Sequence, residues 1–131
     1  MVKTLDLPIS TLAYIGDAVY ELQIRLSLLK SCPAKAGPLH SEVIKLVNAE
    51  AQAEALQLVL PFLTESESQI VKRAANQSVP SARNVDPADY RQATAFEALI
   101  GYLYLEEDFE RLFDILSKAN PDIEFNGSGT I

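Results

Sequence analysis

The chain has 131 residues, 48% of them hydrophobic and 22% charged, the balance of one ordinary globular domain. A single cysteine, Cys32, excludes an intramolecular disulfide and a Cys-rich zinc site, and a single histidine, His40, excludes a His-rich metal site. Eighteen acids against eleven bases give a net charge of −7, which by itself speaks against a phosphate-rich partner. No apolar run approaches the ~20 residues of a membrane helix. The opening MVKTLDLP lacks the apolar core of a secretory signal. The expectation is a cytoplasmic protein with no membrane association.

In chain order, Ser10 or Thr11 can cap a first helix after Pro8. Leu12, Ile15, Val19, Leu22, Leu26 and Leu29 follow at three-and-four spacing and predict one buried stripe. Ser31, Cys32 and Pro33 break it. A second helix starts at Gly37-Pro38 and runs, through Val43, Val47, Ala51, Leu56 and Val59, to about Pro61. Thr64 and Glu67 form a capping box for a third, covering about 65 to 75. Periodicity then fails over Asn76 to Pro87, a loop long enough to suggest function. Asp86 or Asp89 caps a fourth helix through Ala93, Phe96, Leu99, Ile100 and Leu103. A fifth, about Phe109 to Ala119, follows Asp108. The pattern predicts an all-α compact bundle of five or more helices, one domain over 1–120 and a flexible tail over 121–131.

The negative charge is uneven. Residues 106–131 carry seven acids and two bases, leaving a net −2 for residues 1–105, so the rest of the chain can present a basic face.

Two segments stand out. In AYIGDAVYE, Asp17 and Glu21 share a helix face one turn apart, and Gly16 costs the helix about 1 kcal/mol unless a close approach offsets it. In TAFEALIGY, Glu97 lies in a helix apolar nearly all round. An ionised carboxylate there needs a partner or a metal. Asp17 can be a solvated surface acid, and Glu97 can pair with Arg91 or Arg73. Alternatively the two acids converge on a divalent cation, and an oxygen-only site with retained water suits Mg²⁺ or Mn²⁺.

Together, AYIGDAVYEL and TAFEALIGYLYL, 80 residues apart from Asp17 to Glu97, resemble the two signature motifs of the ribonuclease III family. The short chain, the Thr-Ala-Phe-Glu of the second motif, Leu39-His40 and VNAEAQA (47–53) resemble its Mini-III branch, which lacks a double-stranded-RNA-binding domain. The likeness covers about residues 8–117. It implies the ribonuclease III endonuclease-domain fold and Mg-dependent hydrolysis of double-stranded RNA, leaving 5′-phosphate and 3′-hydroxyl ends. Large-subunit ribosomal RNA precursor becomes the expected substrate, with a ribosomal protein as a possible accessory.

Residue by residue, Asp17 and Glu97 match the family's metal-ligating catalytic acids. Ala13, Thr94 and Pro38 stand where larger members carry further acids, so the implied metal site is leaner and one ion per site is expected. That loss also motivates an alternative, a catalytically silent dimer that binds RNA or protein. Cutting both strands of a duplex requires two sites, so the resemblance implies a homodimer. Tyr14 holds the family's interface aromatic, with Ile15, Ala18 and Tyr20 beside it; Tyr14 and Tyr20 serve equally well as core residues. Lys72, Arg73, Arg83 and Arg91, with Asn76 and Asn84 as neutral donors, flank the long loop and are the candidate RNA contacts. His40 is expected to cap, pack or touch RNA rather than act as a base.

Overall fold

Six α-helices organise the described residues, 3–31, 35–77 and 85–125, of the computed structural model. They are α1 (Ile9–Ser31), α2 (Ala36–Val47), α3 (Ala49–Val59), α4 (Glu65–Ala75), α5 (Pro87–Leu105) and α6 (Phe109–Ala119). One single turn of 3₁₀ helix, Thr4–Asp6, precedes α1 and another, Leu60–Phe62, joins α3 to α4; no strand occurs among the described residues. The all-α expectation holds.

Helix α5 is the axis of the bundle. Ala93, Ala95, Phe96 and every residue from Ala98 to Leu103 are buried, which explains its apolar character on all faces. Its most extensive packing is against α1, then α3 and α4. Asp86 caps it through a 2.7 Å bond from Ala88 N–H, with Pro87 in the first turn as the sequence suggests. Helix α6 starts where expected, at Phe109 after Asp108, and the capping box of Thr64 and Glu67 opens α4.

Three expectations need correction. First, the predicted second helix is two. Asn48 adopts an extended conformation and ends α2, where its Nδ2 donates to the Ile44 carbonyl at 3.0 Å. Its Oδ1 accepts from Ala51 N–H at 2.8 Å and opens α3. Apolar periodicity runs straight through this break and hides it. Second, α1 begins at Ile9, because the Pro8 carbonyl takes the first helical bonds, so Ser10 and Thr11 lie inside the helix. Third, the face of α1 turned inward is Ile9, Leu12, Ala13, Gly16, Val19, Tyr20, Gln23, Ile24 and Ser27. Leu22, Leu26 and Leu29, assigned to the buried stripe, are 44–50% exposed.

At the far end, Phe125 joins the core and Ile123 packs on it, so residues 121–125 are not a free tail. Residues 126–131, like Cys32, Arg83 and Asn84, lie outside the described residues. Arg111 anchors α6 to α4 with a two-pronged ion pair to buried Glu67 (2.8 and 2.9 Å) and a third bond to the Phe62 carbonyl. Burial alone would push the Glu67 carboxyl up; Arg111 and the Thr64 N–H outweigh it and hold it below the usual carboxylate range. No described helix is long and apolar enough to cross a membrane.

Candidate active site

The two glycines of the motifs make the site. Helices α1 and α5 pass in opposite senses, with Leu12 beside Gly101, Gly16 beside Glu97 and Tyr20 against Phe96. A Cβ on Gly16 would run into the backbone carbonyl of Glu97, and one on Gly101 into that of Leu12. The close approach of another helix thus offsets the helical cost of Gly16. It also puts the residues after Gly16 alongside the Glu97 turn.

Asp17 is exposed at the edge of this crossing, and Glu97 is half-buried beside it. Burial first, then a hydrogen bond and like charge from Asp17, push the Glu97 carboxyl up to about 8. At neutral pH Glu97 is therefore largely protonated. The Gln52 amide, reaching over from α3, works the other way and favours the charged form. Its Nε2 is buried without a hydrogen bond of acceptable geometry, so the approach is close but that bond is not formed. Gln52 escaped the sequence reading although a signal was there. It occupies an apolar-face position of α3, with Ala55, Leu56 and Val59 buried on the same face.

Neither Arg91 nor Arg73 neutralises Glu97. Glu21 shares the Asp17 face but is bonded to Arg25 at 2.6 Å. Among the described residues no cluster of three or more His, Cys, Asp or Glu could hold a metal. The donor set is thus two carboxylates. Hard oxygen donors with open positions suit a small divalent cation that keeps water, so these residues fit Mg²⁺ or Mn²⁺.

Other expected site residues divide. Lys72 and Asn76 at the end of α4, and Arg91 in α5, are exposed, and Arg91 stands ~9 Å along the helix from Glu97. Arg73 does not join them: its guanidinium donates to the Leu5 and Leu7 carbonyls (2.5 and 2.7 Å), tying down the N-terminal segment. Tyr14 is 78% exposed and Ala18 is exposed, while Ile15 is half-buried. Tyr20 cannot contribute to an interface. It is 1% exposed, edge-on to Phe96 at 4.9 Å, and accepts a 3.0 Å bond from Asn120. His40 is exposed on α2, in a groove shared with Arg25, Leu39 and Val43.

Residues 10–108, which include both acids and both glycines, match the Ribonuclease III domain family model. Over 125 residues the chain is 42% identical to the Mini-ribonuclease 3 of Symbiobacterium thermophilum, covering 95% of this chain and 96% of that one. The chain belongs to the Mini-ribonuclease 3 family. The Gloeobacter violaceus Mini-ribonuclease 3 is 43% identical over 129 residues, 98% of this chain and 94% of that one. A Fusobacterium nucleatum protein of known crystal structure, FN1578, superposes with a TM-score of 0.81 at 32% identity, covering 89% of this chain and 96% of that one. Membership in Mini-ribonuclease 3 makes the protein an endoribonuclease.

Proposed function

We propose that the protein cleaves double-stranded RNA in a Mg²⁺-dependent reaction centred on Asp17 and Glu97, with Mn²⁺ as a possible substitute. The observation that carries this reading is the pairing of these two carboxyls, one from each helix of the α1–α5 crossing. When bound, the cation supplies charge to the scissile phosphate and activates water. The chain's own residues set up that chemistry. Asp17 presents an exposed carboxylate to the ion. Glu97, in its ionised form, would be the second ligand. With only two protein ligands, the remaining positions fall to water and RNA phosphate, which favours one ion per site. Hydrolysis then leaves a 5′-phosphate and a 3′-hydroxyl.

Lys72, Arg91 and the Asn76 amide are exposed and are assigned to RNA phosphates and 2′-hydroxyls, as are Arg83 and Asn84, which lie outside the described residues. A homodimer supplies the second site. Its proposed face is the exposed row Tyr14, Ala18, Leu22, Leu26 and Leu29, edged by Ile15, on the side of α1 away from the core. Maturation of a large-subunit ribosomal RNA precursor in the cytoplasm, aided by a ribosomal protein, is the role that the family resemblance implies.

The test is cleavage of a long RNA duplex with Mg²⁺. The wild type cuts both strands. Asp17→Asn and Glu97→Gln each lower the rate by ~10²-fold or more, since even a residue that only orients a metal ligand is worth about 10–100-fold. Tyr14→Glu, which charges the proposed dimer face, gives a monomer by light scattering and loses the paired cuts. Wild-type binding without cleavage would overturn the enzyme reading in favour of a silent RNA-binding dimer.

A further inference from the structure

Gln52 sits where an apolar side chain belongs. It is 2% exposed, on the inward face of α3 with buried Ala55, Leu56 and Val59. Its Nε2 is a buried donor with no partner, a cost to the fold that a Leu or Met of similar volume would not carry. Such a group persists when another state of the site uses it. The Gln52 amide and the Asp17 carboxyl both lie close enough to Glu97 to act on its carboxyl.

We propose that Gln52 is a positioning residue for the metal site, donating from Nε2 to one oxygen of ionised Glu97 so that the other oxygen points toward the cation beside Asp17. This rests on the metal-dependent reading of the site. In this structure Nε2 is buried and unpaired. A carboxylate that serves a cation with one oxygen has a second oxygen to be held, and Nε2 is the buried donor on hand to hold it. Gln52 touches neither RNA nor ion, and acts through Glu97.

Gln52→Leu and Gln52→Met remove the donor while keeping the volume. Mn²⁺ is titrated into each protein without RNA and followed by electron paramagnetic resonance. The Mg²⁺ midpoint of duplex RNA cleavage and the thermal midpoint are measured alongside. Both variants are expected to raise the Mn²⁺ dissociation constant about tenfold to a hundredfold. The Mg²⁺ midpoint rises in parallel, turnover at saturating metal stays near wild type, and the thermal midpoint does not fall. Should Gln52→Leu fail to fold, Gln52→Met, unbranched, carries the test. Unchanged Mn²⁺ affinity in a folded variant, with binding still abolished by Glu97→Gln, overturns the role of Gln52 alone. A wild type that binds no Mn²⁺ overturns the two-carboxylate metal site and this role with it.

Discussion

Glu97 holds opposed demands in one side chain. Burial and the neighbouring Asp17 push its carboxyl up to about 8, whereas a metal ligand must be ionised. The sign for stability follows. A carboxyl raised from 4.5 to about 8 stays protonated in the fold while the unfolded chain has already lost its proton. The fold is therefore most favoured by this group below pH ~4.5 and loses that support as pH rises toward 8. Glu97→Gln removes the penalty. In metal-free protein it should match the wild type near pH 4 and exceed it by about 1–3 kcal/mol near pH 8.5 in urea melts. A difference that does not change with pH would contradict the pairing. At this scale the site was partly legible. Asp17 and Glu97 could be read from their motifs, and Gln52 was readable as a polar residue on an apolar face. Arg73 was not, because carbonyls 66 and 68 residues earlier capture its guanidinium.

The α1–α5 crossing turns two motifs into a site, and it depends on glycine at two positions. Gly101→Ala drives a methyl into the Leu12 carbonyl, and backbone cannot step aside as a side chain can. A loss of about 2–4 kcal/mol is expected in urea unfolding. Gly37→Ala, whose Cβ meets nothing within 4 Å in α2, is expected to be neutral or stabilising. Equal effects at the two positions would show that the crossing is looser than described. Element boundaries were legible where a cap marks them, as at Thr64, Asp86 and Asp108. The break at Asn48 was missed because hydrophobic spacing is blind to a single extended residue. The buried face of α1 was misassigned for a related reason. Its leucines keep helical spacing but form a second, outer row, while Gly16, Gln23 and Ser27 point inward. Periodicity finds apolar faces and does not say which of two faces the monomer's own core covers.

For the whole molecule, the surplus of acid at the C-terminal end is partly absorbed within the fold. Arg111 joins Glu67 and Asp114, Asp114 also takes Lys118, and Lys118 lies 5.1 Å over the Phe62 ring. The exposed row on α1 runs along the helix that carries Asp17, so a two-fold partner seated there would bring the second active site onto the same assembly. On this proposal, cutting and dimer formation draw on neighbouring faces of one helix. The claim beneath all of this is that Asp17 and Glu97 jointly hold a divalent ion. An anomalous-difference map from crystals soaked in Mn²⁺ tests it most directly. A single strong peak between the Asp17 and Glu97 carboxylates in each protomer, lost in Glu97→Gln, is the expected result. A peak held by other residues, or none at this pair in a preparation that cleaves duplex RNA, would contradict it.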